Sequence, residues 1–265
     1  MMLRADLHIH STFSDGSKTP FEIAEEAHER GVELISITDH DSLSGHDIKK
    51  AAAEKFNLKY INGIEISAYE STETHMLGYN YDVNNQEFIE KIAQTTKMRD
   101  MRNLEILKRL EKYYGIEITE NDIVKTEGFY GSMHIAKALI KKNYAQTIKE
   151  AFDKYIGINA KAYVDIHRTS PFEAIGIINA AGGITSLAHP YKLKRSGIDF
   201  EKLLKTFVDC GLKGIECVYF AHTTSETDYF KSLAEKYKLK VTGGSDFHGE
   251  GRAETIGYPE FFFEA

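Results

Sequence analysis

Hydrophobic and polar positions along the chain form two alternating patterns. Short apolar runs typical of β-strands occupy residues 3–10, 32–38, 59–67, 73–80, 184–189, 214–220 and 239–246. Segments with the apolar period of a helix lie at residues 19–31, 43–56, 171–183, 200–211 and 224–238. Repeated alternation of strands and helices predicts an α/β fold with a parallel sheet, either open and doubly wound or closed into a barrel.

The first predicted helix has recognisable start and stop signals. Thr19 is the expected N-cap, Pro20 takes the first helical position, and Glu22 completes a capping box. Gly31 then ends the helix. We therefore expect a well-defined helix directly after the first strand.

The interval between the two series of strands carries helical periodicity only. We predict a helical insertion domain at 83–165, with 1–82 and 166–265 forming the main α/β domain. One segment with this periodicity is TENDIVKTEG, at 119–128. The longest helix carries the basic residues Lys97, Arg99, Arg102, Lys108 and Arg109, interleaved with acidic residues. This mixture favours a solvated helix face over a nucleic-acid-binding surface.

Composition narrows the class of protein. The 265 residues carry a formal net charge of −7, which argues against binding nucleic acid mainly through a basic surface, so no stable nucleic-acid complex is expected. Cys210 and Cys217 form no metal motif and are expected to be buried in a reducing compartment. No signal peptide or membrane-length apolar run is present, so a cytoplasmic location is expected.

Histidines and carboxylates gather where the predicted strands end. The carboxyl ends of strands are where α/β folds place ligands and catalytic groups. Residues i and i+2 of a strand point the same way, so His8 and His10 can bind one ion, and Asp246 and His248 repeat that spacing. The candidate metal ligands are His8, His10, Asp15, His40, Glu65, His75, His189, Asp246 and His248.

The residue types indicate the chemistry. Imidazole nitrogens and carboxylate oxygens suit Mn²⁺, Zn²⁺ or Fe²⁺. Nine candidates exceed the ligands of one site, so we expect two or three divalent ions with Glu65 as a bridge. Paired ions suit displacement at phosphorus, because they activate a bound water and neutralise phosphoryl oxygens. Asp39 precedes His40 and is expected to orient that imidazole rather than to serve as an acid.

In this order, the motifs DLHIHSTFSDG, TDHD, GIE, AHP and GSDFHG resemble those of the PHP family, the polymerase and histidinol phosphatase metal-dependent phosphoesterases. The resemblance spans essentially the whole chain and is closest to nucleoside 3′,5′-bisphosphate phosphatases and 5′→3′ exoribonucleases. It implies a distorted (β/α)₇ TIM-like barrel with a helical insertion. It also implies three metal sets, which are His8, His10, Glu65 and Asp246; Glu65, His75 and His189; and Asp15, His40 and His248.

The insertion carries a second match. GSMHIAKALI is similar to the family's G-R-P-H-I-A-x-A segment, whose arginine and histidine face the substrate phosphate. His134 matches, whereas Ser132 replaces the arginine and Met133 the proline. The resemblance further implies substrate contacts from Arg168 and His222, and Arg252 is a weaker candidate for a phosphate contact. The residues expected to act in catalysis are Asp15, Glu65, His134 and His248.

The expected activity is hydrolysis of a phosphomonoester by a metal-bound hydroxide. The resemblance favours a nucleoside 3′,5′-bisphosphate or a short 5′-phosphorylated RNA as the substrate. Histidinol-phosphate hydrolysis is the nearest alternative. Alternatives of other classes are an amidohydrolase-type C–N hydrolase and a non-catalytic metal-binding PHP module.

Overall fold

The computed structural model of the chain describes residues 1–70, 72–119, 121–123, 130–165, 169–249 and 252–264. Its β-strands are β1 (Met2–Ile9), β2 (Leu34–Ile37), β3 (Lys59–Tyr60), β4 (Gly63–Glu70), β5 (Thr72–Tyr79), β6 (Ile184–Leu187), β7 (Gly214–Tyr219), β8 (Lys240–Gly244) and β9 (Phe262–Glu264). Its α-helices are α1 (Pro20–Glu29), α2 (His46–Lys55), α3 (Gln86–Tyr114), α4 (Ser132–Lys141), α5 (Ile148–Ala151), α6 (Pro171–Ala180), α7 (Tyr191–Arg195), α8 (Phe200–Asp209) and α9 (Thr224–Tyr237), and a π-helical turn at Phe152–Ile156 follows α5 directly. Most of the predicted segment 119–128 lies outside the described residues.

The described strands form two mixed sheets. One has the order β3-β2-β1-β9 and the other the order β4-β5-β6-β7-β8. Isolated bridges join Ile9 to Phe247 and His40 to Glu65, so the sheets approach each other beside the carboxyl ends of β1 and β2. The α/β class is as predicted, and closure into a barrel stays a prediction.

The expectation of a purely parallel sheet is wrong. β5 runs antiparallel to both β4 and β6. β4 and β5 form a hairpin and pair along their whole length, from Gly63 opposite Tyr79 to Glu70 opposite Thr72. A hairpin reverses the chain, whereas a parallel pair needs a long crossover. The predicted strand at 59–67 is also divided into β3 and β4, and β9 and α7 were not predicted.

Local helix signals are confirmed where they were identified. The Thr19 side chain accepts a hydrogen bond from the Glu22 amide, and the Glu22 carboxylate accepts one from the Thr19 amide. Because this capping box satisfies amides that have no partner inside the helix, α1 starts at Pro20 as expected.

Apolar side chains form separate clusters. The largest includes residues of β4, β5, β6 and β7 and of helices α6, α8 and α9, with Phe207 and Phe230 fully buried. Another cluster is confined to residues between Ile106 and Val164. The insertion domain at 83–165 stays a prediction, and Phe88 and Ile92 of α3 belong to the largest cluster instead. Cys217 is buried as expected but Cys210 is exposed, because it caps the end of α8.

Among the described residues, the helices are all too short or too polar to cross a bilayer.

Candidate metal centre

The predicted metal ligands lie in one buried cluster. Several come from the carboxyl ends of strands as expected, whereas Glu65 is the third residue of β4 and His75 lies within the antiparallel β5. The His10 Nε2 atom lies 3.1 Å from both a Glu65 oxygen and an Asp246 oxygen, and His8 Nε2 lies 3.3 Å from the same two carboxylates. His189 Nε2 is 3.1 Å from Glu65. Glu65 and Asp246, which are far apart in sequence, therefore serve as common neighbours of several imidazoles.

Three groups of side chains have candidate ligand atoms within 4.8 Å of one another. They are His10, Asp15, His40 and His248; His8, His10, Glu65 and Asp246; and His40, Glu65 and His75. The second group is identical to a set implied by the family resemblance. The first adds His10 to an implied set, and the third has His40 where the resemblance gives His189. All nine predicted ligands thus lie in or beside the same cluster.

The residues of the cluster fit divalent ions. The buried atoms that have no aligned hydrogen-bond partner among the described residues include His8 Nε2, both His10 ring nitrogens, Asp15 Oδ1 and Glu65 Oε2. Buried polar atoms without partners are costly unless something else binds them. Nitrogen and oxygen atoms that converge in this way form a suitable donor set for Mn²⁺, Zn²⁺ or Fe²⁺. Bound there, such ions would activate water and neutralise phosphoryl charge.

Backbone geometry at two strand ends directs ligands into the cluster. His189 has φ of 30° and Asp246 has φ of 55°, in the left-handed region that non-glycine residues seldom adopt. The Asp246 amide donates to the His8 carbonyl at 2.8 Å, and the His10 amide donates to the Phe247 carbonyl at 2.8 Å. Tertiary hydrogen bonds therefore tie the strained segment at Asp246 to β1, as is common at functional sites.

Glu216 supports the cluster and was missed in the sequence. This fully buried residue of β7 lies with one oxygen 2.9 Å from His8 Nδ1, and its other oxygen accepts from the His189 amide at 2.6 Å. Burial raises the pKa of the Glu216 carboxyl. The available signal was an acidic residue inside the apolar run GIECVYF. A second missed contact is the Tyr219 hydroxyl, which donates to Asp246 at 2.8 Å.

Asp39 differs from its predicted role. Its carboxylate accepts hydrogen bonds from Ser11 and Ser14 and lies 2.7 Å from Lys49 Nζ, which is also buried. Burial alone would raise the pKa of Asp39, but the Lys49 ammonium and the hydroxyl donors lower it below its ordinary value. The carboxylate thus holds the loop leading to Asp15 instead of orienting the His40 imidazole.

The cluster of candidate ligands opens into a cavity of about 860 Å³ that is also lined by residues of α3 and α4. Arg99 and Arg102 of α3 line this cavity, so the expected solvated face is wrong for these two residues. Arg102 donates to the Ser132 hydroxyl at 2.5 Å and to the Val164 carbonyl at 3.0 Å. A polar cavity wall and a solvated face have the same sequence pattern, and only packing distinguishes them.

His134 lines the same cavity near the start of α4. Its Nδ1 accepts a hydrogen bond from the Gly131 amide at 3.1 Å, so Nε2 carries the proton of the neutral ring. Burial lowers the pKa of His134 to about 4, so the ring is neutral at pH 7. His134 can therefore donate one hydrogen bond from Nε2.

The remaining predicted substrate contacts have different positions. Arg252 lines the cavity, with Nη2 3.7 Å from Asp15 Oδ2. The structure does not bring His222 to the cavity lining, and its Nδ1 lies 3.1 Å from the Cys217 carbonyl oxygen. Arg168 lies outside the described residues.

A buried His and carboxylate cluster in an α/β fold, open to a cavity with arginines on its wall, has the characteristics of a metal-dependent phosphoesterase. The family model described as PHP domain matches residues 6–169, which is more than half of the chain. The chain belongs to the PHP family, and it is a hydrolase.

Known proteins similar over nearly the whole length agree with this class. A Haemophilus influenzae protein named 5′-3′ exoribonuclease is 30% identical over 94% of this chain and 91% of its own. An Eggerthella lenta protein named phosphoribosyl 1,2-cyclic phosphate 1,2-diphosphodiesterase is 32% identical over 96% of this chain and 97% of its own. A solved structure from Bifidobacterium adolescentis, assigned to the metal-dependent phosphoesterases, superposes with a TM-score of 0.85 at 31% identity. The superposition covers 96% of this chain and 91% of that one.

Proposed function

We propose that the protein hydrolyses a terminal phosphomonoester of a nucleoside 3′,5′-bisphosphate or of a short 5′-phosphorylated RNA. The observation that carries the proposal is the shared cavity, whose lining includes predicted metal ligands on one side and Arg99, Arg102 and His134 on the other. A substrate with phosphate at the metal ligands and further anionic or hydrogen-bonding groups beyond them would suit both walls.

Each protein group has a defined part in this proposal. The proposed ligands hold two or three divalent ions, and Asp15, Glu65 and His248 act in catalysis through that centre. His134 donates from Nε2 to a phosphate oxygen, and its neutral ring suits that task at pH 7. Arg102, held against Ser132, supplies a guanidinium at the position where the family motif has its own arginine. The helical segment 83–165 is proposed to form a substrate lid.

The polar wall is the reason for preferring phosphorylated substrates over the other classes. Arginine is suited to bidentate binding of phosphate, whereas a C–N bond hydrolase has no general need for a cationic wall. A non-catalytic metal module would need neither the cavity nor His134. Histidinol phosphate stays an alternative substrate, although a small molecule would use little of a cavity of about 860 Å³.

A second candidate is hydrolysis of a cyclic phosphodiester. It is favoured by the Eggerthella lenta relative, whose similarity of 32% identity extends over 97% of that protein. The same ligands together with Arg102 could bind a cyclic phosphate and a second phosphate group. The substrate assay must therefore contain both classes.

The test is hydrolysis of four substrates in parallel by the Mn²⁺-loaded protein, with phosphate release followed for the phosphomonoesters and ring opening for the cyclic phosphate. These are adenosine 3′,5′-bisphosphate, a 5′-phosphorylated RNA oligomer, histidinol phosphate and phosphoribosyl 1,2-cyclic phosphate, with mononucleotide release followed for the RNA. Preference for either of the first two supports the proposal, and preference for either of the others replaces it. The Asp246→Ala variant is the control for contaminating phosphatases, since it removes a proposed ligand.

A further inference from the structure

The segment that carries His40 is held by an unusual neighbour, Asp41. Asp41 is fully buried and has φ of 45°. Its amide donates to the Glu65 carbonyl at 2.9 Å, and its Oδ1 accepts from the Ser67 amide at 2.9 Å. These contacts fix the direction of the chain directly after the His40 imidazole, although Asp41 itself belongs to none of the three ligand groups.

Helix α3 reaches across to this same residue. The Thr96 hydroxyl donates to the Asp41 carbonyl at 2.9 Å, and Arg99 Nη2 lies 2.5 Å from Asp41 Oδ2. Arg99 Nη2 also donates to the Ser67 hydroxyl at 2.9 Å, and that hydroxyl lies 3.4 Å from His40 Nδ1. Asp41, Ser67, Thr96 and Arg99 thus form one network of polar contacts between α3 and the segment that carries His40.

The charge on Arg99 is already engaged by a buried carboxylate. The Asp41 side chain is 1% exposed and the Arg99 side chain 23% exposed, so the ion pair lies in a region of weak screening. Removing one member would leave a buried charge without its partner. Arg102 of the same helix donates instead to the oxygens of Ser132 and Val164.

We infer that Arg99 is a positioning residue for His40, acting through Asp41 and Ser67, so that helix α3 sets the metal affinity of the group His10, Asp15, His40 and His248. The inference rests on the proposed metal centre. Groups that orient a ligating histidine commonly change metal affinity by about 10–100-fold when they are removed. On this view the helical segment both lines the cavity and completes one metal site.

The experiment is a Mn²⁺ titration of chelator-stripped protein, in which binding is measured by calorimetry and by electron paramagnetic resonance. Arg99→Met is expected to weaken by about 10–100-fold the class of Mn²⁺ sites that His40→Ala also weakens, and to leave the other sites unchanged. Lys97→Met is the matched control, since it removes one positive charge from an exposed position of the same helix. Arg99→Lys is expected to recover part of the lost affinity because it keeps the charge opposite Asp41.

A second variant tests the path of the effect. Asp41→Asn is expected to weaken the same class of sites, and the double variant is expected to be no worse than the more affected single variant. Unchanged Mn²⁺ affinity in Arg99→Met together with a raised KM would overturn the inference and make Arg99 a substrate contact. Equal weakening of all sites would also overturn it, as would a loss of folding in Arg99→Met that Arg99→Lys does not restore.

The titration separates this inference from the proposed function, because it needs no substrate. If the wild type hydrolyses none of the four substrates yet Arg99→Met selectively weakens the Mn²⁺ sites that His40→Ala also weakens, the inference holds and the proposed function fails. If the wild type turns over the bisphosphate and Arg99→Met keeps every Mn²⁺ affinity, the reverse is true.

Discussion

Glu216→Gln is the sharpest test of how the protein positions the proposed metal ligands. The Glu216 carboxylate lies 2.9 Å from His8 Nδ1 and accepts from the His189 amide at 2.6 Å. Glutamine has nearly the same size but only one acceptor oxygen, so its NH₂ group must face one of these two donors. The variant therefore keeps the packing of β7 while it breaks one hydrogen bond or forces His8 into the wrong tautomer.

The expected magnitude follows from two independent considerations. Leaving a buried donor without an acceptor costs about 1–3 kcal/mol. Loss of a group that orients a ligating histidine lowers metal affinity by about 10–100-fold, which is about 1.4–2.8 kcal/mol at 1.4 kcal/mol per tenfold. We therefore expect Glu216→Gln to weaken Mn²⁺ binding by about 10–100-fold, with an equal or smaller loss of kcat when the metal is saturating.

The assay is the Mn²⁺ titration described above, with urea denaturation to check the fold. Glu235→Gln is the control, because it makes the same chemical change at an exposed position of α9. Mn²⁺ affinity equal to that of the wild type in a folded Glu216→Gln protein would refute the reasoning. It would mean that the position of the His8 ring is set by packing alone.

Three further predictions concern other parts of the molecule. Arg102→Met is expected to raise KM about tenfold or more, as for a lost charged hydrogen bond, with Mn²⁺ content unchanged, whereas Lys97→Met should leave KM alone; a fall in Mn²⁺ content would contradict this. Lys49→Met leaves the buried Asp39 carboxylate without its ammonium partner and should lower the free energy of unfolding by about 3 kcal/mol at pH 7. Burial alone would raise the pKa of Asp39 in the variant, whereas Lys49 lowers it in the folded wild type. The difference in the free energy of unfolding should therefore shrink in urea denaturation as the pH falls below about 4 towards the lowered pKa, where the carboxyl becomes protonated in the folded wild type as well; a constant difference would argue against the ion pair. His10→Ala should abolish hydrolysis with little change in the unfolding midpoint, and residual turnover in a purified variant would count against the proposed centre.

Much of the candidate centre follows from local rules that act along the sequence. A strand alternates its side chains, so His8 and His10 had to point the same way. Parallel strands place their carboxyl ends at one edge, which brings His8 and His10 at the end of β1 to the same region as Asp246 after β8. Capping signals likewise placed the start of α1 at Pro20, because the bonds of a capping box join residues only three positions apart.

Other features depended on contacts between distant segments. Glu216 looks like an isolated acid in an apolar strand until β7 is placed beside His8. Asp39 adjoins His40 in sequence but is held by Lys49 and two serines, because side chains of neighbouring residues in an extended segment point in different directions.

Helix α3 shows most clearly what the sequence alone does not determine, which is the partner of a polar helix face. Mixed charges along α3 determine that one of its faces is polar, but a polar face can meet water or a polar cavity equally well. Only the tertiary structure decided that Arg99 meets Asp41 and that Arg102 meets Ser132. The physical reason is that periodicity records the polarity of a helix face, whereas the partner of that face is chosen by how remote segments pack against it.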